Sequence, residues 1–338
     1  MTMSLTNHRI LLTGAGGFIG SHLAQRLVEL GAAVRALVRY NSRNDWGLLE
    51  QLPPEILKQI EVIPGDITDP FGVGRAVQDC TMVFHLAALI AIPYSYVAPA
   101  QYVAVNCGGT LNLLEAARAH CVQRFIHTST SETYGTARYT PIDEDHPLQG
   151  QSPYAASKIG ADKLAESYHL SFDLPVVTVR PFNTFGPRQS ARAVIPTIIT
   201  QALSGDTIRL GHLEPRRDLT FVADTVEGFI KAAAAPQAIG QVINLGTGST
   251  VSIGELAQTI ISLMGKPKTI VATAERSRPE ASEVWHLESD NRKAREILGW
   301  QPHTSLADGL AQTIDYIRAH IDLYKTGIYN STFAPSNG

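Results

Sequence analysis

A glycine-rich turn near the amino terminus constrains the fold of this chain more than any other segment. Gly14, Gly17 and Gly20 lie three residues apart, between an apolar strand pattern at 9–13 and a helical pattern at 21–30. Gly14 permits a tight turn, Gly17 lets the backbone approach a pyrophosphate, and Gly20 allows close packing of the helix on the strand. The amides at the helix start then face the phosphates. Because strand, turn and helix agree, the segment predicts a dinucleotide-binding loop, with contacts from Gly14, Gly17, Phe18, Ile19 and Gly20.

Apolar strand patterns alternate with helical ones along the first 180 residues and return once later. The sequence predicts strands at 9–13, 33–38, 60–63, 82–86, 124–128, 176–179 and 242–245. It predicts helices at 21–30, 111–119, 155–168 and 253–264. Near-continuous apolar strands separated by helices are typical of a doubly wound parallel sheet. We therefore predict an α/β fold of the Rossmann type.

The composition of the sequence changes after Arg180: Pro, Gly and Arg become frequent, and the predicted helices and strands become shorter. We predict a dinucleotide-binding domain over 1–180 and a smaller, mixed C-terminal substrate lobe over 181–330, a size within the usual domain range. Elements at about 218–248 are expected to return to the first domain, and 331–338 to form a tail.

Composition and charge argue against several classes of protein. Lys and Arg number 28 against 31 Asp and Glu, a formal net charge of −3, so there is no basic excess for binding nucleic acid. The three cysteines have no CxxC spacing, and His, Cys, Asp and Glu show no metal-ligand spacing, so we expect neither disulfides nor a metal. The uncharged stretch 80–114 is interrupted by Pro, Gly and polar residues, which argues against a membrane span. No export signal is visible, and we expect a cytoplasmic protein.

Residues after the second and third strands indicate which dinucleotide binds. An acidic residue after the second strand would hold a ribose 2′-hydroxyl and repel a 2′-phosphate. This chain has Arg39 and Arg43 there, which favours NADP, while NAD bound without a ribose carboxylate is the alternative. Asp66 and Ile67 are expected beside the adenine, with a loop or helix-cap role for Asp66 as the alternative.

A small apolar segment after the fourth strand suits close approach of a cofactor, and we expect Leu86, Ala87 and Ala88 to form its wall. His85 precedes this segment with no acid or second ligand spaced to assist it, so we expect a packed core histidine rather than a base. Asn106 is expected either to bridge backbone near the active strands or to cap a turn.

Tyr154 and Lys158 are four residues apart and therefore lie on one face of a predicted helix. A nearby ammonium favours the phenolate and lowers the tyrosine pKa, which makes Tyr154 a usable base near neutral pH. The segment 129–132, Ser-Thr-Ser-Glu, directly follows the strand at 124–128. Since ligands of an open parallel sheet bind at the carboxyl ends of its strands, this segment and the glycine turn are predicted to reach the same site.

Five motifs together resemble the extended short-chain dehydrogenase/reductases of the NAD-dependent epimerase/dehydratase family. They are TGAGGFIG at 13–20, HLAA at 85–88, STSE at 129–132, YAASK at 154–158 and RPFNTFGPR at 180–188. The resemblance covers nearly the whole chain. Three stretches also resemble the nucleotide-sugar 4,6-dehydratases of legionaminic acid biosynthesis, which act on a UDP- or GDP-linked N-acetylglucosamine: LAALIAIPYSY at 86–96, HPLQGQSPYAASKIGAD at 146–162 and FGPRQSARAVIPTIITQAL at 185–203.

The resemblance implies a role for each catalytic candidate. Tyr154 matches the tyrosine that takes the proton of the sugar 4-hydroxyl while a hydride leaves C4 for the nicotinamide of NAD or NADP. Lys158 matches the lysine that binds the nicotinamide ribose, and Thr130 matches the hydroxyl that orients the 4-oxygen. Glu132 stands where dehydratases keep the base for the C5 proton. Water then leaves across C5 and C6, the hydride returns to C6, and the cofactor is regenerated in each turnover.

One position departs from the family pattern. Many 4,6-dehydratases have Asp-Glu where this chain has Ser131-Glu132, and the aspartate protonates the departing 6-hydroxyl. A serine is too weak an acid for that step, so either Glu132 does both jobs or a water relays the proton. Ser-Glu also occurs in UDP-glucuronate decarboxylases, so a decarboxylase or a 4-epimerase is the alternative function. A non-catalytic, redox-sensing binding protein is disfavoured because Tyr154, Lys158, Thr130 and Glu132 are all present.

The resemblance also implies substrate-binding residues and an oligomer. Asn183 matches a residue near the substrate diphosphate, and Arg217 and Arg278 match arginines that clamp it, which suits bidentate guanidinium forks. The ordinary alternative is a salt bridge of Arg217 to Asp218, or of Arg278 to Glu280. Arg192 is a weaker candidate in the same region. Relatives dimerise through two helices, which here are the one from Leu111 and the one that carries Tyr154.

Overall fold

The computed structural model describes residues 5–6, 8–273 and 279–324. Numbered along the chain, its strands are β1 (Arg9–Thr13), β2 (Ala33–Arg39), β3 (Ile60–Gly65), β4 (Met82–His85), β5 (Arg124–Thr128), β6 (Val176–Pro181), β7 (Asn183–Phe185), β8 (Thr207–Leu210), β9 (Arg216–Arg217), β10 (Leu219–Phe221), β11 (Val242–Leu245), β12 (Val251–Ser252), β13 (Thr269–Ala272) and β14 (His286–Leu287).

The helices divide between the two faces of the sheet and the carboxyl-terminal lobe. They are α1 (Phe18–Glu29), α2 (Pro54–Leu57), α3 (Pro70–Val77), α4 (Ile92–Val97), α5 (Pro99–Tyr102), α6 (Gly109–Ala119), α7 (Pro153–Phe172), α8 (Val194–Ser204), α9 (Val222–Ala234), α10 (Ile253–Met264), α11 (Arg292–Leu298) and α12 (Leu306–Ala319). A π-helical segment, Val103–Gly108, joins α5 to α6, and a 3₁₀ turn, Ser131–Tyr134, follows β5.

Among the described residues, seven strands form one parallel sheet in the order β11-β6-β5-β4-β1-β2-β3. These are the seven strands that the sequence predicts, and the doubly wound α/β fold is confirmed. The bounds differ at four ends: β2 continues to Arg39, β3 to Gly65 and β6 to Pro181, whereas β4 ends at His85 instead of Leu86. The chain leaves the sheet after His85 because the next amides turn toward Thr13, with Leu86 N 3.3 Å from its carbonyl and Ala87 N 3.1 Å from its hydroxyl.

Both faces of the sheet are buried, which explains the near-continuous apolar strands. Successive residues of β1 alternate between two cores: Ile10 and Leu12 pack on the side of α1, α8 and α9, and Leu11 packs on the side of α3, α6 and α7. All three side chains are fully buried. The alternation fixes the register of the sheet, because a slip by one residue would exchange the two faces.

The uncharged stretch 80–114 contains β4, a loop, the short helices α4 and α5, the π-helical segment and the start of α6. Through the described part of the chain, no helix combines the length and apolarity needed to cross a bilayer.

The carboxyl-terminal lobe is mixed and is built from small sheets. β9 pairs in parallel with β14 and antiparallel with β12, while β10 pairs with β7 and β13 with β8. Two later elements join the first domain: β11 extends the main sheet beside β6, and α9 contacts α1 through an ion pair of Arg26 with Glu227 at 2.8 Å. The lobe boundary at residue 180 stays a prediction, and the predicted tail at 331–338 lies outside the described residues.

Asp218 ties the lobe to the main sheet. Its carboxylate, fully buried between β9 and β10, accepts hydrogen bonds from the backbone amides of Thr247, Gly248 and Ser289 at 2.8, 2.9 and 3.1 Å. The Thr247 hydroxyl donates to it as well, at 2.7 Å. The loop after β11 and the end of β14 are therefore held by one side chain.

Replacing Asp218 with Asn should lower the free energy of unfolding by about 2 kcal/mol, because an amide group turned toward backbone N–H donors leaves buried donors unsatisfied. Urea unfolding followed by circular dichroism measures the change. Asp315→Asn is the matched control, since Asp315 is exposed on α12 and pairs only with Arg318 of its own helix in the described structure. Equal stability of the two variants would contradict the role assigned to Asp218.

Candidate active site

The glycine turn between β1 and α1 forms a cradle that side chains would fill. Gly14 has φ +72°, and a Cβ at this position would lie 2.7 Å from the amide nitrogen of Ala87. A Cβ on Gly20 would overlap the carbonyl oxygen of Gly14. Gly17 is the N-cap of α1, and no side chain caps this helix within the described residues, so its first-turn amides are available to an anion. The shape and the available amides of the turn suit the pyrophosphate of a dinucleotide, and the contacts of its individual residues stay a prediction.

Strand β2 ends in an exposed arginine. The side chain of Arg39 is 82% exposed and lies 3.9 Å from Asp66 at the end of β3. Asp66 accepts hydrogen bonds from the Thr68 amide and hydroxyl at 2.9 and 2.8 Å. Burial raises the pKa of Asp66, but those hydrogen bonds and the charge of Arg39 outweigh it and lower the pKa overall. Asp66 thus holds its own turn, the alternative that the sequence left open.

The predicted cofactor wall follows β4 directly. Leu86, Ala87 and Ala88 are half-buried, and the first two are hydrogen-bonded to Thr13. His85 is buried, with Nδ1 2.9 Å from the Thr13 hydroxyl and Nε2 2.9 Å from the Thr110 hydroxyl. Burial, with the charges of neighbouring groups, holds the pKa of His85 well below its usual value. The prediction of a packed core histidine is confirmed.

Helix α7 brings Tyr154 and Lys158 to the carboxyl edge of the sheet. It begins at Pro153 because the Ser152 hydroxyl accepts a hydrogen bond from the Ala155 amide at 3.1 Å. Both Tyr154 and Lys158 are buried. The Lys158 ammonium donates to the carbonyl oxygen of Thr128, the last residue of β5, at 2.6 Å. The helix face is therefore attached to the strand that precedes the other catalytic candidates.

The electrostatics of this pair differ from the sequence expectation. Burial raises the pKa of Tyr154, the hydrogen bond with Thr130 opposes that rise, and the charge of Glu132 adds to it. Burial also lowers the pKa of Lys158. The predicted lowering of the Tyr154 pKa by Lys158 is therefore wrong for this arrangement, because desolvation dominates.

The segment after β5 places Thr130 and Glu132 beside Tyr154, with Ser131 between them in the chain. Thr130 caps the 3₁₀ turn Ser131–Tyr134, and its hydroxyl accepts a hydrogen bond from the Glu132 amide at 3.3 Å. Ser131 and Glu132 are both buried. The structure thus brings the catalytic candidates Thr130, Glu132, Tyr154 and Lys158 together at one edge of the sheet.

An apolar wall that the sequence did not reveal surrounds Tyr154. The Tyr102 ring meets the Tyr154 ring edge-on with centroids 6.2 Å apart, and Ile92 packs in the same cluster. Asn106 supports this wall: its amide group exchanges hydrogen bonds with the Leu89 backbone at 2.8 and 3.0 Å and donates to the Ser157 hydroxyl at 2.9 Å. Asn106 therefore bridges backbone to α7, one of its two predicted roles.

The substrate-side candidates have different surroundings. The side-chain oxygen of Asn183 is buried without a hydrogen-bond partner within the described ranges. Arg217 is buried and pairs with Glu283 at 3.2 Å, so the suggested salt bridge to Asp218 is wrong, because that carboxylate is occupied by backbone donors. Arg192 is exposed, and its charge opposes the burial that raises the pKa of Tyr102. Arg278 lies outside the described residues.

No group of three or more His, Cys, Asp or Glu side chains is arranged to hold a metal ion within 5–6, 8–273 and 279–324. The cysteines Cys80, Cys107 and Cys121 are all free.

Comparison with known proteins gives consistent matches along most of the chain. The family model described as GDP-mannose 4,6 dehydratase matches residues 11–313. A UDP-glucose 4-epimerase of Mycolicibacterium smegmatis is 36% identical over 317 residues, which covers 92% of this chain and 98% of the relative. A dTDP-glucose 4,6-dehydratase of an Actinoplanes species is 33% identical over 318 residues, with 92% and 98% covered.

A solved structure has the same fold with a cofactor bound. The crystal structure of DesIV, a dTDP-glucose 4,6-dehydratase from Streptomyces venezuelae with NAD and TYD bound, superposes with a TM-score of 0.82 at 28% identity. The superposition covers 94% of this chain and 99% of that one.

Replacing Gly20 with Ala should weaken dinucleotide binding at least about tenfold, or about 1.4 kcal/mol, because the new methyl group pushes α1 away from the Gly14 carbonyl. Isothermal titration with NAD and with NADP measures the loss. Gly74→Ala is the matched control: Gly74 lies in α3 with open space around a Cβ, so this variant should bind normally and be as stable or slightly more stable. Normal binding by Gly20→Ala would remove the glycine turn from the cofactor site.

Proposed function

Because the chain belongs to the GDP-mannose 4,6 dehydratase family, we propose that it is a nucleotide-sugar 4,6-dehydratase, a hydro-lyase acting on a UDP- or GDP-linked N-acetylglucosamine. Its relatives are nucleotide-sugar dehydratases and epimerases, so it is an enzyme of that kind. The product is the 4-keto-6-deoxy sugar. The resemblance of 86–96, 146–162 and 185–203 supports the N-acetylglucosamine substrate and a place in legionaminic acid biosynthesis.

The observation that carries the dehydratase assignment is the buried carboxylate of Glu132 beside Tyr154. Its negative charge raises the pKa of Tyr154, which disfavours the phenolate that must accept the proton of the 4-hydroxyl. A 4-epimerase needs only oxidation and reduction at C4 and gains nothing from this arrangement. A dehydratase needs a second base, at C5, and Glu132 is the acidic residue of the catalytic segment that can provide it.

In the proposed reaction, bound NAD or NADP supplies the hydride acceptor at C4 and the hydride donor at C6. Tyr154, in its ionised phenolate form, receives the proton of the 4-hydroxyl. Thr130 hydrogen-bonds the 4-oxygen, and Lys158 holds the nicotinamide ribose. Glu132 takes the C5 proton, which the 4-ketone acidifies. Glu132 then returns a proton to the departing 6-hydroxyl, because the neighbouring Ser131 is a neutral hydroxyl with little acidity.

The substrate side of the proposal rests on one amide and three arginines. The buried oxygen of Asn183 can accept a hydrogen bond from a substrate hydroxyl. Arg217 is a phosphate ligand in this proposal, and its pairing with Glu283 at 3.2 Å orients the guanidinium. Arg192 and Arg278 complete the set by resemblance to the family.

For the cofactor we propose a preference for NADP. Strand β2 ends in Arg39, whose guanidinium is exposed and can meet a 2′-phosphate, since its contact with Asp66 is long, at 3.9 Å. Arg43 contributes less, because it pairs with Asp45 at 3.0 Å.

We also propose a cytoplasmic homodimer. Free cysteines agree with a reducing compartment. The helices expected at the interface, α6 and α7, present exposed apolar side chains, namely Leu111, Leu170 and Phe172. Light scattering of the purified protein would report the mass of the assembly.

The function is tested by incubating the protein with UDP- or GDP-N-acetylglucosamine and catalytic NAD or NADP. Mass spectrometry should show loss of one water from one of the two sugars with no net reduction of the cofactor. The cofactor that supports the faster dehydration, NAD or NADP, is the preferred one. Formation of an isomer of unchanged mass would overturn the dehydratase in favour of a 4-epimerase. Loss of carbon dioxide from UDP-glucuronate would favour a decarboxylase.

Replacing Glu132 with Gln should abolish solvent-deuterium exchange at C5 and dehydration, because the base is lost, while the first oxidation still reduces bound cofactor. Absorbance of the reduced nicotinamide and NMR of the recovered sugar measure the two steps. Tyr154→Phe is the comparison variant and should block both steps without loss of cofactor binding. Normal C5 exchange in Glu132→Gln would assign the base to another residue.

A further inference from the structure

A buried polar network beneath the catalytic candidates has no part in the proposed chemistry. Its centre is Asp162, one helical turn after Lys158 on α7. One oxygen of this carboxylate accepts hydrogen bonds from the Ser129 hydroxyl at 2.6 Å and from Nη2 of Arg180 at 2.8 Å. The other oxygen lies 2.9 Å from Nε2 of His127. All four side chains are buried.

Arg180 extends the network to the turn that carries Glu132. Its Nη1 donates to the Tyr134 hydroxyl at 2.7 Å, its guanidinium lies 4.6 Å from the centroid of the Tyr134 ring, and its Nε donates to the Ser129 hydroxyl at 3.1 Å. Tyr134 ends the same 3₁₀ turn that contains Glu132, and its hydroxyl donates to Asn244 on β11 at 2.8 Å. The pair of Asp162 and Arg180 therefore joins α7, the ends of β5 and β6, and the Glu132 turn.

Lys158 depends on the same carboxylate for its charge. An ammonium group that is removed from water is costly unless a counter-charge lies near it. The Lys158 ammonium donates to a neutral carbonyl, that of Thr128, at 2.6 Å, and burial lowers its pKa. The negative charge of Asp162 opposes that effect. Asp162 itself stays ionised, because its hydrogen bond with His127 and the charge of Arg180 outweigh burial and hold its pKa far below the usual range.

The negative charge of Asp162 affects the pKa of Tyr154 as well as that of Lys158. Its charge also raises the pKa of Tyr154, so the same carboxylate acts on the base and on its lysine. Titratable or charged groups from the surrounding elements face Tyr154 and Lys158. They are His85, Tyr102, Cys107, His127, Glu132, Asp162 and Arg180.

We propose that Asp162, paired with Arg180, is a positioning residue that holds the Thr130–Glu132 turn against α7 and supplies the negative charge facing Lys158. The inference rests on the proposed function, in which Lys158, Tyr154 and Glu132 do the chemistry. The alternative is an ion pair that only stabilises the fold and has no effect on the charge of Lys158. The two are separated by a measurement of charge rather than of stability.

The direct test needs no substrate. In full-length protein with bound NAD and ¹³C-labelled lysine, the ε-methylene resonance of Lys158, assigned by its absence from Lys158→Arg, is titrated by NMR. Asp162→Asn should move the titration midpoint of Lys158 to lower pH by about one pH unit or more, because a nearby negative charge has been removed. Glu166→Gln is the matched control: it removes the same charge from α7 at an exposed position paired with Lys163, and the midpoint should not move.

An unchanged midpoint in folded Asp162→Asn overturns the proposal. If that variant does not fold, Asp162→Asn/Arg180→Gln removes the charged pair together and should still lower the midpoint, because Asp162 acts on Lys158 more strongly than Arg180 does. A midpoint at the wild-type value in the double variant would likewise overturn it.

The pH profile of turnover adds a second readout. Removing the Asp162 charge lowers the pKa of both Tyr154 and Lys158, so the acid and basic limbs of kcat/KM should both move to lower pH. Tyr134→Phe removes the link to the Glu132 turn but no charge, so it should slow C5 exchange relative to C4 oxidation while the limbs stay in place. If both limbs of the pH profile stay in place in Asp162→Asn, the positioning role of Asp162 is contradicted. If the wild-type protein is inactive on every sugar, the proposed function is contradicted, and the NMR titration alone decides the role of Asp162.

Discussion

The parallel alignment of β1, β4, β5 and β6 is the constraint on which the site depends. Because parallel strands end at the same edge of the sheet, the glycine turn after β1, the wall after β4 and the Thr130–Glu132 turn after β5 all reach one place. Helix α7 completes the site by packing along this sheet with Lys158 bonded to the last carbonyl of β5. The chemistry is therefore assembled from segments far apart in sequence.

Burial has a second consequence at this edge, since it removes water from every titratable group. The phenol of Tyr154 and the ammonium of Lys158 are both shifted toward their neutral forms, and the negative charge of Asp162 opposes that shift at Lys158. The buried pair of Asp162 and Arg180 has excellent geometry, with Ser129 and His127 satisfying the remaining oxygen positions. Because both carboxylate oxygens of Asp162 are hydrogen-bonded, the network restrains the surrounding side chains, which suits the positioning role that we propose for it.

Local patterns predicted much of this arrangement. The seven strands were predictable because a sheet covered on both faces leaves continuous apolar runs, and the glycine turn because only glycine fits where Gly14 and Gly20 approach other backbone. Tyr154 and Lys158 were predictable from their helical spacing. The partners that tertiary packing sets were not predictable. Arg217 pairs with Glu283, 66 positions away, rather than with its neighbour Asp218. The ring of Tyr102, which precedes the π-helical segment in the chain, contacts the ring of Tyr154. The spacing of Asp162 from Lys158 was a visible signal, but its meaning required the position of Arg180.

In the proposed reaction, oxidation at C4 is followed by elimination and by return of the same hydride to C6. A substrate carrying deuterium at C4, either UDP- or GDP-N-acetylglucosamine, follows that hydride directly. NMR of the product should show the deuterium at C6 of a 4-keto-6-deoxy sugar, with none released into the cofactor pool. Deuterium found again at C4, in an epimer that keeps its 6-hydroxyl, would contradict the account and identify a 4-epimerase.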